Sequence, residues 1–284
     1  MLKITILFFI FITSLYSSVT YSVSANEISN ARTLLFDLNV DDENPTYVAY
    51  LQKRYPFFKK VNSDGYYALV PTSYYMKRKK TKAIIVYIED NQKHYISVPI
   101  KIVDGKYKSE SLKVNPKKAK FDKKSRSRIS RESKEAKKIY AKYTPTLYID
   151  EPFMVPLHSK ITSSFGNKRV FNNTLKSYHS GTDFRAKTGT PLVASNRGKV
   201  VLVKNRFFAG NSVVIDHGQG IYSGYYHMSK FAVKVGQMVE KGELLGYAGA
   251  TGRVTGPHLH FTFHIGGICV DPMQFIDTVN KLFY

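Results

Sequence analysis

The stretch GPHLHFTF, Gly256 to Phe263, places two histidines one residue apart in a segment with the composition of a β-strand. Side chains at positions i and i+2 of a strand point to the same face of the sheet. His258 and His260 therefore share one face, and the apolar residues that alternate with them share the other. The apolar face predicts packing against a core, and the paired imidazoles predict metal binding or catalysis.

The start of the chain has the features of an export signal. Lys3 precedes a long apolar run, and small residues follow it up to Val23-Ser24-Ala25. Residues 1–25 are therefore predicted to be a secretory signal peptide, with an uncleaved membrane anchor as the alternative. The single cysteine, Cys269, excludes an internal disulfide, and no cysteine stands at the predicted cleavage site to carry a lipid.

The chain carries a formal net charge of +22, and much of it lies between Pro116 and Tyr143. Twelve Lys or Arg residues face three acids in this segment, which indicates an anionic partner. For an exported protein, a membrane surface or an anionic cell-wall polymer fits better than nucleic acid, and a solvated linker is the alternative. The sequence SRESKEAKKIYAKY predicts an exposed helix that starts near Ser130 or Ser133.

Composition divides the rest of the chain into two β-rich parts. Residues 26–115 contain short runs of Tyr, Val and Ile separated by turn residues, which predict a small β-rich domain. Residues 116–145 are the basic, helical linker, and in residues 146–284 short apolar strands alternate with Gly-bearing turns. Six of the eight histidines lie in this last part, between His179 and His264. The predicted fold class is mainly β.

Two further histidines of this part occur in suggestive contexts. The sequence HSGTD, His179 to Asp183, places an imidazole and a carboxylate where a tight Gly-containing loop could bring both to one ion. The segment IYSGYYH ends at His227, and strand alternation predicts that Ser223, Tyr225 and His227 share a face. Each feature is weak evidence by itself, but together they fall in order within one β domain.

These residue types match one kind of metal site. Two imidazoles and one carboxylate form a three-ligand site whose fourth position is open to water, as in catalytic zinc centres. The nitrogen donors argue against Mg²⁺ and Ca²⁺, whereas an iron site with two histidines and one carboxylate stays possible on ligand count. The surplus histidines favour hydrolysis, because they could transfer protons beside the metal.

Several longer motifs identify a known family. They are ITSSFGNKR, YHSGTDFRAKTGTPLVASNRGKVV, NSVVIDHGQGIYSGYYHMS, VKVGQMVEKGELLGYAGATGRVTGPHLHFTF and VDPMQFI. In this order they resemble the lysostaphin/LytM-type zinc metalloendopeptidases, which cleave peptide bonds in peptidoglycan. The resemblance runs through about residues 156–277, and it implies a C-terminal antiparallel β domain of the LytM type.

The resemblance also implies roles for individual residues. His179, Asp183 and His260 would bind one Zn²⁺ ion. His258 and His227 would be the catalytic residues, which orient water and transfer protons.

His217 and Tyr225 are weaker candidates for a role in the site. His217 matches a frequent family histidine and is expected to be structural. Tyr225 could add a hydrogen-bond donor to the site or pack in the core.

The function that the resemblance implies is hydrolysis of peptidoglycan cross-links in the periplasm, at the bond between D-alanine and diaminopimelate. The expected partners are stem peptides and an anionic envelope surface, but not nucleic acid. The mature chain is expected to be a monomer without a transmembrane span. A non-catalytic LytM-like activator or scaffold of other cell-wall hydrolases is the alternative. Residues 26–115 lie outside the resemblance, and they are predicted to restrict access to the site or to dock the enzyme on a partner.

Overall fold

The computed structural model describes residues 19–40, 45–61, 63–112, 121–171 and 174–283. Residues 1–18, most of the predicted signal peptide, lie outside the described part. Thr20–Val23 falls within the predicted peptide and forms strand β1, which pairs antiparallel with β3 (Thr33–Asn39). Cleavage after Ala25 would therefore remove an edge strand, and the cleavage position stays a prediction.

Two sheets make up most of the described N-terminal part. In spatial order, the first contains β1, β3, β7 (Tyr66–Pro71) and β6 (Phe58–Lys59). The second contains β2 (Glu27–Ser29), β9 (Gln92–Val103), β8 (Lys79–Glu89), β4 (Pro45–Tyr50) and β5 (Lys53–Pro56).

Strand β3 packs against two different cores. Leu34, Phe36 and Leu38 lie between the two N-terminal sheets. Leu35 points the other way and joins Tyr67 in the core of the C-terminal domain. Because side chains alternate along a strand, the first sheet lies between the second sheet and the C-terminal domain. The two parts of the chain thus share a buried apolar contact.

The C-terminal domain is built on a ten-stranded antiparallel sheet. Its main path contains, in spatial order, β11 (Ile161–Ser163), β14 (Thr182–Arg185), β21 (His258–Ile265), β18 (Ile221–Phe231), β17 (Gly210–Gly218), β16 (Gly198–Arg206) and β19 (Met238–Val239). Three strands pair beside this path, namely β15 (Pro191–Val193), β20 (Leu244–Ala248) and β22 (Ile268–Val270).

Strand β21 has the two faces that its sequence predicts. Leu259, Phe261 and Phe263 are fully buried in the core, whereas His258 and His260 lie on the opposite face. The predicted mainly β fold with a C-terminal antiparallel β domain is confirmed.

A three-stranded sheet joins the two parts of the chain. It contains β10 (Ser109–Leu112), β12 (Lys168–Phe171) and β13 (Thr174–Tyr178). Strand β10 pairs in parallel with β12, and the hairpin of β12 and β13 leads directly into His179.

Residues 116–120 of the basic segment lie outside the described part, and helix α1 (Lys123–Ala141) forms most of the rest. Helix α2 (Pro272–Val279) and a 3₁₀ helix (Asn280–Phe283) end the described chain. The cap of α1 is Asp122, whose carboxylate accepts a hydrogen bond from the Ser125 N–H at 2.6 Å. The predicted start at Ser130 or Ser133 was wrong, because the helix begins earlier, at Lys123, where Asp122 caps it. No helix in the described ranges has the length and apolar composition needed to cross a membrane.

Helix α1 is docked on the C-terminal domain through its acidic residues. Glu132 is 6% exposed and accepts hydrogen bonds from Arg128 Nε at 2.7 Å and from the Phe207 N–H at 2.8 Å. Glu135 forms an ion pair with Lys204 at 2.9 Å. The segment is therefore a packed element of the fold and not only a solvated connection.

Candidate metal centre

Three side chains that could bind a metal ion come together where β14 pairs with β21. Asp183 lies directly opposite His260 in the antiparallel register, so the two side chains point to the same face. His179 reaches them from the loop before β14 and is 1% exposed. These three residues form the group in the described chain whose donor atoms could hold a metal ion.

The donor atoms converge closely. Asp183 Oδ1 lies 3.0 Å from His179 Nε2 and 2.8 Å from His260 Nδ1, and the two nitrogens are 3.1 Å apart. Bonds of about 2.0–2.1 Å to a tetrahedral zinc ion would separate the donors by about 3.3 Å. The donor set and its spacing therefore fit zinc with small adjustments.

Hydrogen bonding fixes which nitrogen of His179 faces the group. The Nδ1 atom of His179 lies 2.9 Å from the carbonyl oxygen of Ser164. A carbonyl oxygen only accepts hydrogen bonds, so Nδ1 carries the proton. The lone pair of Nε2 then points towards Asp183 and His260, the other two candidate metal ligands. A backbone partner of this kind is the usual support for a metal-ligating histidine.

Burial and hydrogen bonding keep the donors in the forms that bind metal. Burial acts to raise the pKa of Asp183, but the adjacent imidazoles of His179 and His260 outweigh it and hold that pKa well below its usual range. Burial lowers the pKa of His260. A charged carboxylate and a neutral imidazole are the protonation states that metal binding requires.

Gly181 is required by the close approach of the loop to the metal ligands. A Cβ atom at this position would lie 2.5 Å from the Phe261 carbonyl oxygen and 2.6 Å from His260 Nε2. Any side chain would therefore push the loop away from β21 and separate His179 from His260.

His227 and His258 border the same group. Their ring centroids are 4.8 Å apart, and the His227 ring lies 5.7 Å from that of His260. Each Nδ1 is 2.9 Å from a backbone carbonyl oxygen, of Thr251 for His227 and of Gly256 for His258. Both Nδ1 atoms therefore carry protons.

The Nε2 atoms of this pair remain available for acid–base work. His258 Nε2 lies 3.6 Å from Asp183 Oδ1, beyond hydrogen-bond range. Burial, reinforced by the neighbouring His260, lowers the pKa of His227 to about 4. A neutral imidazole with a free Nε2 can accept a proton from water or from a substrate.

The predicted common face of Ser223, Tyr225 and His227 was wrong. The backbone of His227 has φ 63°, outside the strand region, and the pairing of β17 with β18 shifts register between Asn211 and Val213. This irregularity turns His227 towards the metal-site face, whereas Tyr225 stays in the core.

Tyr225 has no contact with the site. It is fully buried, and its hydroxyl accepts a hydrogen bond from the Ser195 N–H at 2.8 Å. Its neighbour Tyr226, which the sequence did not single out, lies directly opposite His260 in the register of β18 and β21. The ring of Tyr226 stacks on that of His260 at a centroid distance of 5.6 Å.

Two further histidines of the domain, His217 and His264, are structural. His217 is fully buried, with Nδ1 2.7 Å from the Arg197 carbonyl oxygen and Nε2 2.8 Å from Ser223 Oγ, as expected. His264 stacks on Tyr140 of helix α1 with ring centroids 3.7 Å apart. Burial lowers the pKa of both, to about 4 and about 3 respectively.

Known proteins are similar to the part of the chain that holds this site. Residues 177–272 match the model of Peptidase family M23. The peptidoglycan DD-endopeptidase ShyA of Vibrio cholerae serotype O1 is 44% identical over 122 residues, which cover 42% of this chain and 28% of ShyA. Lysostaphin of Staphylococcus staphylolyticus is 36% identical over 108 residues, which cover 36% of this chain and 22% of lysostaphin. The chain thus spans less than a third of either relative.

One solved structure is similar over most of the chain. The crystal structure of a candidate peptidase M23 from Pseudomonas aeruginosa has a TM-score of 0.69 at 28% sequence identity. The alignment covers 88% of this chain and 95% of that chain. The similarity therefore includes much of the region that precedes residue 177.

Proposed function

Because the C-terminal part of this chain belongs to Peptidase family M23, we propose that the protein is a zinc endopeptidase that hydrolyses the peptide cross-links of peptidoglycan. One observation carries the proposal: two imidazole nitrogens and a carboxylate oxygen converge within 3.1 Å of one another, beside two more histidines with free Nε2 atoms. A structural role alone would not require this surplus of imidazoles around three clustered donors.

His179, Asp183 and His260 would hold the zinc ion. When bound, zinc supplies a Lewis acid that activates water and polarises the scissile carbonyl group. His227 and His258 would orient the attacking water, stabilise the developing negative charge and carry a proton to the leaving amine. Their Nδ1 bonds to backbone carbonyl groups fix both rings and would leave each Nε2 for the reacting atoms.

The proposed scissile bond joins D-alanine to diaminopimelate. The support is the 44% identity over 122 residues to ShyA, a peptidoglycan DD-endopeptidase. This substrate lies outside the cytoplasm, so the proposal includes export to the periplasm by the predicted signal peptide. The proposed active species is a monomer.

Helix α1 is proposed to contact an anionic envelope surface. Because Glu132 accepts a hydrogen bond from the Phe207 N–H and Glu135 pairs with Lys204, both acids face the C-terminal domain and the outer face is left to cations. Seven exposed cations lie on α1, namely Lys123, Lys124, Arg126, Arg131, Lys134, Lys137 and Lys138. No acid accompanies them on the outer face of this helix, which is described throughout. Attraction of this kind weakens as salt screens it.

Digestion of purified cross-linked muropeptides tests the catalytic proposal. The protein with stoichiometric zinc should convert dimers to monomers, and His258→Ala should be inactive at equal zinc content. Dimers that persist with zinc present would reject the endopeptidase. A chain that binds no zinc but stimulates another cell-wall hydrolase would instead support a non-catalytic activator.

A further inference from the structure

The two histidine ligands of the proposed metal site are held in different ways. His179 has a backbone carbonyl partner for its second nitrogen. For His260, Nδ1 faces the other donors, and Nε2 has no hydrogen-bond partner among the described residues. Metal-ligating histidines usually donate their second N–H to a fixed acceptor. The orientation of the His260 ring must therefore depend on packing.

Tyr226 supplies that packing. Its ring is nearly parallel to the His260 ring, at 15°, and stacks on it with a centroid distance of 5.6 Å. The loop at Gly181 also lies close to the Nε2 edge of the ring. If Tyr226 could rotate away, the His260 ring would gain freedom about its own side-chain torsions.

Helix α1 fixes Tyr226 in turn. The hydroxyl groups of Tyr140 and Tyr226 are 2.6 Å apart and buried. Tyr140 is itself held between two rings, stacked on His264 at 3.7 Å and edge-on to Tyr222 at 5.6 Å. Tyr140 thus fixes Tyr226, and through it the ring of His260, from outside the segment that matches the family.

The other histidine ligand has a similar support from the N-terminal part. Tyr74 stacks on Tyr178, the residue before His179, with ring centroids 3.7 Å apart and an interplanar angle of 6°. Its hydroxyl donates to the Gly166 carbonyl oxygen at 2.9 Å, and the Gly166 N–H donates to the His179 carbonyl oxygen at 2.8 Å. Tyr74 therefore holds the backbone of the first ligand through two contacts.

We propose that Tyr74 and Tyr140 are positioning residues for the metal site, through which the region before residue 145 sets the affinity of the C-terminal domain for zinc. The inference rests on the zinc site of the proposed function. Neither tyrosine touches a donor atom, because each acts through one intervening residue. The N-terminal part and helix α1 would therefore complete the metal centre in addition to any role in docking.

Conservative variants of the full chain test this inference. Tyr140→Phe keeps the ring and removes the hydroxyl bonded to Tyr226. Its matched control is Tyr222→Phe, which removes a neighbouring hydroxyl that donates to the Lys142 carbonyl oxygen at 2.7 Å and does not bond Tyr226. Tyr74→Phe has Tyr75→Phe as its control, because the Tyr75 ring packs on the same Tyr178 but is largely exposed.

Zinc affinity measured by competition with a chromogenic chelator is the main readout. Removing a direct hydrogen-bond partner of a ligand weakens metal binding by roughly 10–100-fold, so we expect about 5- to 10-fold for these more distant contacts. The two losses should multiply in the double variant, because the tyrosines support different ligands. The absorption spectrum of the Co²⁺-substituted protein should change in both variants and in neither control.

The outcomes separate the two proposals. Wild-type zinc affinity and an unchanged Co²⁺ spectrum in both variants would overturn the positioning role. Equal losses in variants and controls, in step with lower thermal stability of the metal-free chains, would also overturn it in favour of a general folding effect. A wild-type chain that binds zinc and cleaves no muropeptide would reject only the endopeptidase, whereas one that binds no zinc would reject both.

Discussion

Replacing Gly252 with Ala should disable the proposed enzyme, because it should displace the loop that orients His227. The loop at Gly252 packs backbone to backbone on the turn between β16 and β17, where the Arg253 N–H donates to the Phe208 carbonyl oxygen at 2.9 Å. The residue before Gly252 is Thr251, whose carbonyl oxygen accepts the Nδ1 proton of His227. A displaced loop therefore withdraws the group that orients His227.

The size of the displacement follows from the contacts of a new Cβ atom. At position 252 it would lie 2.4 Å from the Gly210 nitrogen and 2.6 Å from the Phe208 carbonyl oxygen, whereas ordinary contacts begin at 3.4 Å. Both contacts are with backbone, so the loop must shift by about 1 Å. A shift of this size carries the 2.9 Å bond between Thr251 and His227 past hydrogen-bond range.

A misplacement of about 1 Å costs on the order of 10²-fold in rate, or about 2.7 kcal/mol of activation free energy. We therefore expect Gly252→Ala to reduce kcat for muropeptide dimers about 10²-fold, while zinc content stays near wild type. The assay follows initial rates by separation of the products, with zinc quantified in the same samples.

Gly236→Ala is the matched control. Gly236 has φ +91°, close to the +83° of Gly252, but apart from its two chain neighbours no described residue has a heavy atom within 4 Å of where a Cβ atom would lie. Both variants bear a similar backbone strain of about 1–2 kcal/mol, and only Gly252→Ala adds the collision. A folded Gly252→Ala enzyme with the kcat of Gly236→Ala would refute the proposed orientation of His227.

Three further outcomes are expected. Asp183→Ala should lose both zinc and activity, because two ligands do not hold the ion in an open site. His258→Ala should keep zinc and lose turnover, and metal analysis beside the muropeptide assay checks both variants. Burial lowers the pKa of His217 from 6.5 to about 4, so between these pH values the unfolded chain binds a proton that the folded chain does not. The free energy of unfolding should therefore fall as pH decreases from 6.5 to 4, by about 3 kcal/mol at most. Denaturant titrations of the metal-free chain should show a weaker pH dependence in His217→Gln, and an equal pH dependence would contradict this. Replacing four of the seven exposed cations of α1 by Gln should reduce retention on purified sacculi at low salt without changing cleavage of soluble dimers, and unchanged retention would return α1 to a purely structural role.

Strand β21 was predictable because its two faces are chemically distinct. Leu259, Phe261 and Phe263 require a core, and His258 and His260 do not fit one, so a single register satisfies the sequence. The same reasoning failed in β18, where the segment before His227 has tyrosines on both faces. Alternation cannot locate an irregular residue in such a strand, because the positive φ of His227 is set by neighbouring loops that the local sequence does not contain.

The supports of the proposed site were also beyond the sequence. His179, Asp183 and His260 could be grouped because the motifs that carry them resemble those of a known family. Tyr74 and Tyr140 lie in segments whose tyrosines are numerous, and nothing local distinguishes them. Their importance arises from tertiary packing across large separations along the chain, which residue spacing does not encode.

These contacts bear on the two roles predicted for the N-terminal part, restriction of access and docking. A chain that begins near Thr146 would lose the supports from Tyr74 and Tyr140 and would expose the core that Leu35 and Tyr67 now cover. Its rate would therefore combine any relief of restriction with weaker zinc binding and lower stability. If restriction dominates, the shortened chain is faster at saturating zinc but needs more zinc to reach that rate. If support dominates, it is slower at every zinc concentration, so the dependence of rate on zinc, and not a single rate, separates the two roles.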